Sequence, residues 1–398
     1  MKDNEIKFGF WNYLTSDIAD LSDVTDWKEM GCNLPMSFVY DPSNKKCTKE
    51  DMIAMWDECR KYGLKCLIAD NRVTFKTLNK LGAKDYRIGV LEAKKDFYNH
   101  PAFYGFLVDD EPSMEMEKDY IRAYQILNEE MPNGYHFGNL HPYFSPRVMS
   151  KDYGTFEERY QRVWNIVKNS ECKLLAYDQY TQCYHDEETK EAGIKDFFLG
   201  LSTFLKIGNE FDIPVYPSLL SIGHFLQRSP TEDDIRWQMN VALAMGAKGV
   251  IWFYFHHDLI DYGFKVETAP FFGPRAEKTE TYNMIRRQQE IFDTRYRKIF
   301  DNLDIIKYSY VGKVIEEDKV FSSEDGWLHK VDLWKNDLAI VSYGTLRDSG
   351  KKVAILVNGS QEITNCFTIF FNEKDSYSGW LVPGEMIVFD VKNKCRLH

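Results

Sequence analysis

Short apolar runs alternate with amphipathic stretches along the first part of the chain. The apolar runs have strand length and end at glycine, proline or polar residues, whereas the stretches between them repeat their apolar positions with helical spacing. Strands are predicted at residues 6–14, 34–40, 64–70, a fourth ending at 109–111, 134–144, 173–180, 214–222 and 249–255. Helices are predicted at residues 51–61, 88–98, 118–131, 194–210, 231–245 and 276–301. This succession predicts an α/β fold, the (β/α)8 TIM barrel, which typically needs about 250 residues.

After residue 301 the pattern changes to strands alone. They are predicted at residues 327–334, 338–343, 352–358, 364–371 and 385–392, with turn sequences such as Asn358-Gly359 and Pro383-Gly384 between them. The pattern indicates a small C-terminal antiparallel β-sandwich, so we predict a barrel domain at 1–307 and a sandwich domain at 308–398. The second domain has no cluster of acids or histidines. A structural role is therefore expected for it, with sugar binding as the alternative.

The chain is acidic, with 61 Asp and Glu residues against 50 Lys and Arg and a formal net charge of −11. Nucleic acids and anionic membrane surfaces bind basic patches, so neither is expected as a partner, and a neutral or cationic ligand is favoured. Aromatic residues make up 15% of the chain. Most of them should pack the core, but some are expected to line a ligand site.

The sequence favours no cofactor, no metal and no membrane span. The eight cysteines are scattered without a C-x-x-C pair. His256-His257-Asp258 has the chemistry of metal ligands, but consecutive residues of a strand point apart. No apolar run reaches the length of a bilayer, and residues 1–5 lack the regions of a signal peptide. We therefore expect a cytoplasmic protein if residue 1 is the natural start, and a periplasmic or cell-surface protein if a signal peptide preceded it.

Three consecutive acids, Asp109, Asp110 and Glu111, follow an aromatic apolar run and precede Pro112, which cannot continue a strand's hydrogen bonds. They are predicted at the C-terminal end of the fourth strand, where barrels carry their chemistry. Adjacent carboxylates disfavour each other's ionisation, so at least one pKa should be raised. Strand alternation predicts that Asp109 and Glu111 share a face and Asp110 points away, unless the chain already turns at Pro112. The alternative is a solvated acidic loop, or a helix start capped by Asp109 or Ser113.

Other predicted strands also end in polar or aromatic residues. Asp178 is the best candidate for a second carboxylate, with a structural strand-end acid as the alternative. The candidates for substrate binding are Asp109, Asn139, Tyr177, Tyr180 and Trp252, with barrel packing or capping as the alternative for each. His141 and His224 stand alone in the sequence, and such histidines are more often structural than catalytic.

Residues 105–112, Gly-Phe-Leu-Val-Asp-Asp-Glu-Pro, and residues 246–253, Gly-Ala-Lys-Gly-Val-Ile-Trp-Phe, resemble the strand ends of glycoside hydrolase barrels. In the large retaining clan of these barrels, strand four ends in Asn-Glu-Pro, whose Glu is the acid/base, and strand seven carries a nucleophilic Glu. The resemblance implies that Glu111 is the acid/base, with Asp110 in the Asn position. Residues 214–223 contain no carboxylate, so the resemblance does not extend to the nucleophile.

The same acids resemble a second group of barrels, in which the acetamido group of a 2-acetamido sugar assists its own cleavage. Those barrels carry an adjacent Asp-Glu pair at strand four. The resemblance implies that Asp110 orients the acetamido group and that Glu111 protonates the leaving oxygen. The fuller chitinase signature is not present, because Gly105 and Leu107 occupy its other acidic positions.

Strand six adds to this second resemblance. Tyr177-Asp178 resembles the Tyr-Asp of chitinase-like barrels, and Trp252 would then be a platform for the sugar. We therefore expect a glycoside hydrolase that cleaves O-glycosidic bonds of an oligosaccharide or polysaccharide, with Glu111 as general acid helped by Asp110 and Asp178.

Two other functions are compatible with the same sequence. One is a catalytically silent barrel that binds glycans, which is favoured by the absence of an acid from predicted strand seven. The other is a different lyase or hydrolase on the same scaffold, because a fold hosts many chemistries. The sequence does not predict which sugar or anomer is cleaved, whether the action is exo or endo, or whether the configuration is retained. It also does not predict an oligomeric state.

Overall fold

The computed structural model describes residues 4–13, 20–45, 48–149, 153–184, 187–225, 227–257, 264–265, 268–273, 277–325, 327–335 and 337–397. The chain divides into two compact units. The first unit comprises Lys7–Ser229 and Gly249–Asn283, and the second comprises Met1–Ile6, Pro230–Lys248 and Met284–His398. The boundary predicted between residues 307 and 308 stays a prediction.

The first unit contains a sheet of eight parallel strands. They are β1 (Lys7–Phe10), β2 (Leu34–Pro35), β3 (Cys66–Ile68), β4 (Phe103–Asp110), β5 (Phe137–Leu140), β6 (Leu175–Asp178), β7 (Val215–Leu220) and β8 (Gly249–Phe253). Their order in the sheet is β2-β1-β8-β7-β6-β5-β4-β3. Parallel bridges from Met36 to Leu67 and from Tyr40 to Asp70 join the chain after β2 to β3, so the sheet closes on itself. The predicted TIM barrel is confirmed.

Helices connect the strands of the first unit. They are α1 (Asp23–Glu29), α2 (Lys49–Lys61), α3 (Phe75–Leu81), α4 (Ala83–Ala93), α5 (Glu117–Glu130), α6 (Phe156–Ser170) and α7 (Glu187–Phe211). Helix α4 continues into a π-helical turn, Lys94–Tyr98, and 3₁₀ turns lie at Asn71–Val73 and Thr181–Cys183. Helices α2 and α6 begin at capping boxes formed by Thr48 with Asp51 and by Thr155 with Glu158, which bond backbone N–H groups that a helix start leaves without partners.

Short strand pairs lie in the loops that follow β7 and β8. Gly223–His224 pairs with Phe264–Lys265, and Phe271–Phe272 pairs with both His256–His257 and Glu277–Lys278.

Large side chains fill the barrel interior. The interior cluster includes Leu67, Tyr104, Phe137, Tyr216 and Ile251, all buried. The hydroxyls of Tyr104 and Tyr216 hydrogen-bond across the barrel at 3.1 Å. Because the interior is packed, a ligand can be held only at an end of the barrel.

Gly105 lets β4 run against the chain that leads into β5. A Cβ at this position would lie 1.9 Å from the carbonyl oxygen of Tyr135 and 2.8 Å from the backbone nitrogen of His136. Backbone atoms cannot rotate away as a side chain can, so Gly105→Ala should lower the free energy of unfolding by at least about 1–3 kcal/mol. Urea unfolding of the two proteins checks this, and an unchanged midpoint would show that the strands are not this close.

The second unit contains two antiparallel sheets. Its strands are β9 (Leu303–Val311), β10 (Lys330–Leu333), β11 (Ala339–Leu346), β12 (Lys352–Asn358), β13 (Asn365–Phe370), β14 (Ser376–Leu381), β15 (Met386–Asp390) and β16 (Cys395–Arg396). One sheet has the order β9-β11-β12-β15-β16 and the other β10-β13-β14. One apolar core includes Val341 and Leu356 of the larger sheet and Val331, Phe367 and Leu381 of the smaller one. The predicted antiparallel sandwich is confirmed, although β9, β14 and β16 were not predicted.

Helix α8 (Glu232–Met245) belongs to this second unit. The indole Nε1 of Trp237 donates to the carbonyl of Gly359 at 2.7 Å, and Asn240 Nδ2 donates to the carbonyl of Gly384 at 2.9 Å. The predicted helix 276–301 is interrupted at Tyr296 and forms α9 (Glu280–Arg295) and α10 (Arg297–Phe300). Further 3₁₀ turns lie at Glu317–Lys319 and Ser323–Asp325. None of the helices in the described ranges is long and apolar enough to cross a membrane.

Candidate active site

A cavity of about 340 Å³ lies where the barrel strands end. Asp110, Asp178 and Phe253 are the last residues of β4, β6 and β8, and each of them lines it. Its other polar lining includes Glu111, Asn139, His224 and Gln227, and its aromatic lining includes Trp11, Tyr13 and Tyr180. The structure thus brings together four of the predicted polar residues and one of the predicted aromatic ones.

Strand β4 brings two neighbouring acids to the cavity because its regular alternation breaks at Asp109. The pairing of β4 with β5 shifts register between Leu107 and Asp109, and Asp109 and Glu111 have φ angles of 106° and 45°. Asp110 and Glu111 both line the cavity, and Asp109 does not. The alternation predicted for a regular strand is therefore wrong here, because an irregularity of this kind re-aims the side chains.

Asp109 is held by a lysine outside the cavity. Its Oδ1 accepts from Lys76 Nζ at 2.8 Å, and it also accepts from the backbone N–H of Asp110 at 2.7 Å. Asp109→Asn should therefore lower kcat less than tenfold, whereas Asp110→Asn, which changes a side chain that lines the cavity, should lower it by about a hundredfold or more, the effect of removing one preorganised electrostatic group from a site. Turnover of both variants on one substrate checks this. Equal losses would mean that the two side chains are not separated as described.

Asn139 links the two acids contributed by β4 and β6. Its Nδ2 donates to Asp110 Oδ1 at 3.0 Å and to Asp178 Oδ1 at 3.2 Å. Its Oδ1 accepts from Ser218 Oγ at 3.4 Å, and Ser218 Oγ accepts from Trp11 Nε1 at 3.0 Å. This chain of bonds fixes which end of the amide faces the acids.

Glu111 stands between a histidine and a protonated acid. Its Oε1 lies 3.2 Å from His141 Nδ1, and its carboxylate shares a side-chain hydrogen bond with Asp178. Burial acts to raise the pKa of Glu111, but the bonds to His141 and Asp178, with the nearby His224, hold it below its ordinary value. Glu111 is thus the ionised member of the cluster.

The other two acids retain their protons more strongly. Burial, followed by the charges of Glu111 and Asp110, raises the pKa of Asp178 well above its ordinary value. Burial and the charge of Glu111 raise the pKa of Asp110 to about 7. Near neutral pH the site therefore holds protonated and ionised carboxyl groups in direct contact, and they titrate as a coupled set.

The raised pKa of Asp110 has a consequence for stability. The native state binds this proton more tightly than the unfolded chain, whose ordinary pKa is 3.8. The stability from this group is fully present below about pH 4 and is lost as pH rises through about pH 7. Asp110→Asn should therefore be more stable than the parent at about pH 8, by on the order of 1–3 kcal/mol, with the difference shrinking towards about pH 4. Denaturant unfolding at both pH values measures it, and a less stable variant at the higher pH would contradict it.

Aromatic rings form the walls beside the acids. Tyr13 stacks on the buried Trp11 with centroids 5.9 Å apart and remains 46% exposed. Tyr180 packs on Phe253 with ring centroids 5.3 Å apart and on His224 with centroids 5.8 Å apart. The cavity therefore offers flat apolar faces next to hydrogen-bonding groups.

Besides Asp109, two other predicted site residues, Tyr177 and Trp252, do not line the cavity. Tyr177 is fully buried, and its ring stacks on Phe204 of α7 at 3.7 Å. Trp252 is also fully buried, and the following residue, Phe253, lines the cavity in its place. Both cases follow from strand alternation, since adjacent residues point to opposite sides of the barrel wall.

Sequence reasoning did not select Trp11, Tyr13, His141, His224 or Phe253 for the site. Each of them follows a barrel strand or is its last residue. Because barrels carry their functional residues at the C-terminal ends of the strands, this position in the sequence could have identified them as candidates. The candidate metal ligands behave differently: His256 is buried and its Nε2 accepts from Trp27 Nε1 at 2.9 Å, while Asp258 and the side chain of His257 lie outside the described residues.

No family model and no curated protein matches the chain. Solved structures do resemble it. A candidate α-L-fucosidase from Bacteroides thetaiotaomicron VPI-5482 is 13% identical, with a TM-score of 0.50 over 73% of this chain and 97% of that protein. The cold-adapted β-galactosidase from Rahnella sp. R3 is 12% identical, with a TM-score of 0.56 over 74% of this chain. The match covers 56% of that galactosidase, so this chain spans about half of its length. At these identities the likeness shows a shared fold, the (β/α)8 barrel.

Proposed function

We propose that the protein is a glycoside hydrolase that cleaves an O-glycosidic bond in this cavity by general acid catalysis. The observation that carries the proposal is the carboxyl cluster, in which ionised Glu111 accepts a hydrogen bond from protonated Asp178 and Asp110 lies alongside. The fold supports it, because the two similar structures bear the names of a fucosidase and a galactosidase. The aromatic walls suit the apolar faces of sugar rings.

Glu111 is proposed as the group that protonates the leaving oxygen. Its side chain is 39% exposed, whereas Asp178 is only 8% exposed, so Glu111 is the member of the pair that a substrate can reach. The two share one proton through their hydrogen bond. When the glycosidic oxygen approaches Glu111, Asp178 returns that proton to it, and Glu111 then passes the proton to the oxygen as the C1–O bond breaks.

Positive charge develops at C1 of the sugar as the glycosidic bond breaks, so a second group, a nucleophile, is needed to stabilise it. Strand β7, Val215–Leu220, carries no carboxylate. Asp178 keeps its proton in the hydrogen bond to Glu111, so it is not a free carboxylate that could attack C1. We therefore infer that the substrate supplies the nucleophile, and that the sugar is a 2-acetamido sugar.

In this mechanism the acetamido oxygen bonds to C1 while the leaving oxygen departs with the proton from Glu111. Asp110, held by Asn139, accepts a hydrogen bond from the acetamido N–H and stabilises the positive charge of the cyclic intermediate. Glu111, now a carboxylate, takes a proton from water as that water attacks C1 and the ring opens. Two inversions at C1 retain the configuration.

A second candidate function, glycan binding without cleavage, is favoured by the absence of an acid from β7. It predicts saturable binding of sugars in the same cavity without new reducing ends.

Hydrolysis of matched chromogenic glycosides, each with and without a 2-acetamido group, tests the proposal. Turnover confined to the 2-acetamido members is the expected result. Turnover of plain glycosides would support glycoside hydrolysis but overturn the substrate-assisted mechanism and reopen the role of Asp178. Binding without turnover of any member would favour the non-catalytic function.

A further inference from the structure

Two tryptophans stand side by side on the surface of the second unit. Trp334 is 71% exposed and follows β10, and Trp380 is 63% exposed and lies on β14. Their ring centroids are 6.1 Å apart, with an interplanar angle of 79°. Exposed tryptophans are uncommon because each ring carries a large apolar area, so an adjacent pair indicates a surface that meets a ligand.

The pair belongs to one face of the three-stranded sheet. Cys366 of β13 pairs with Trp380, and the carbonyl of Cys366 accepts from the backbone N–H of Trp334 at 2.9 Å. The three residues therefore form a row across the sheet. The opposite face of the same strands, which includes Phe367 and Leu381, belongs to the apolar core. The inner face of the sheet therefore forms the apolar core, and the two tryptophans, on the outer face, are not part of that core.

A polar row runs beside the tryptophan row. Asp332 pairs with Thr368, and Thr368 pairs with Ser378. The hydroxyls of Thr368 and Ser378 are 2.8 Å apart, and Asp332 accepts from Lys330 at 2.7 Å. We call the two rows together the tryptophan face.

We propose that the tryptophan face binds a single chain of a neutral polysaccharide. The C–H groups of a pyranose ring stack on an aromatic face, whose quadrupole is negative. The adjacent hydroxyl and carboxylate groups can accept and donate hydrogen bonds to sugar hydroxyls. Because Asp332 is paired with Lys330, the face has no strong local charge, and the net charge of −11 disfavours a polyanion.

The geometry argues against two other occupants. Two tryptophan rings offer at most roughly 500 Å² of apolar surface, less than the ~800 Å² that each partner buries in a standard interface, so the face is too small for a stable dimer. Rings at 79° to each other cannot both lie flat on one plane, which excludes the flat surface of a crystalline polymer. A twisted single chain, whose successive rings turn, fits this angle.

This surface goes beyond the proposed hydrolysis, and it does not depend on the carboxyl cluster. The test is electrophoresis of the full chain in native gels that contain hydroxyethylcellulose, soluble starch, glucomannan or glycol chitin, with polygalacturonate as an anionic control. The parent is compared with the double variant Trp334→Ala/Trp380→Ala and with Ile306→Ala, which removes another side chain of the same unit that is 60% exposed.

We expect a neutral polymer to retard the parent and Ile306→Ala equally, and the double variant to bind at least roughly tenfold more weakly. Hydrolysis of a small chromogenic glycoside should be the same in all three proteins. If a neutral polymer retards the parent but no glycoside is hydrolysed, the polysaccharide-binding inference holds and the proposed hydrolase function fails.

The inference would be overturned by equal retardation of the double variant and the parent, by retardation in polygalacturonate alone, or by no retardation in any neutral polymer. A concentration-dependent dimer in sedimentation that the double variant loses would also overturn it. Because a truncated variant can misfold, Trp334→Tyr serves as a second variant that should retain measurable binding.

Discussion

Glu111→Gln should lower kcat on an unactivated glycoside by about 10²–10⁴, the range that a general acid contributes. The amide keeps the size of the side chain and can still bond to His141 and Asp178, but it cannot deliver a proton. In kcat/KM, which reports the steps up to departure of the leaving group, the loss should be small for a dinitrophenyl glycoside, whose leaving group departs without protonation. This difference separates the loss of an acid from a general disturbance of the cavity.

The matched control for this variant is Glu115→Gln. Glu115 is four residues further along the chain and exposed, so the same change of charge is made outside the cavity. It should retain the turnover of the parent. A loss below tenfold in folded Glu111→Gln, or an equal loss on both leaving groups, would remove Glu111 from the proposed role of general acid.

Asp178→Asn should lower kcat by about a hundredfold and move the alkaline limb of the pH profile to lower pH. In the parent, the raised pKa of Asp178 keeps a proton on the Glu111–Asp178 pair towards higher pH. An asparagine can donate a hydrogen bond to Glu111 but holds no transferable proton. Glu111 alone, with its lowered pKa, would then lose its proton at lower pH.

The measurement is kcat/KM between about pH 4 and pH 9 for the parent and Asp178→Asn. The control is again Glu115→Gln, because Glu115 is exposed and does not line the cavity. A variant of Thr181, such as Thr181→Val, would not serve as a control, since Thr181 lines the cavity. A profile for Asp178→Asn with the same alkaline limb as the parent would show that Asp178 does not store the proton.

The sequence was informative where a local signal fixes a position. The apolar run before Asp109 and the proline after Glu111 locate the end of β4, and the strand-end position of Asp178 follows from the polar end of its run. Periodicity of this kind predicts which element a residue belongs to. The same periodicity, by assigning residues to helices and strands, predicted the barrel and the C-terminal sheets.

The sequence was less informative about where side chains point. The irregularity at Asp109 turns that acid towards Lys76, and no periodic pattern encodes it. The choice between Trp252 and Phe253 depends on register, which a one-residue shift reverses. The bonds of Asn139 to Asp110 and Asp178 join three neighbouring strands and depend on the registers at which these strands pair.

Release of reducing ends shows whether the protein cleaves glycosidic bonds and whether Glu111 is needed for the cleavage. The parent and Glu111→Gln are incubated in parallel with natural oligosaccharides that do and do not contain 2-acetamido sugars. We expect the parent to release new reducing ends from 2-acetamido oligosaccharides and Glu111→Gln to release at least about a hundredfold fewer in the same time. No release from any oligosaccharide by the parent, or equal release by both proteins, would contradict it.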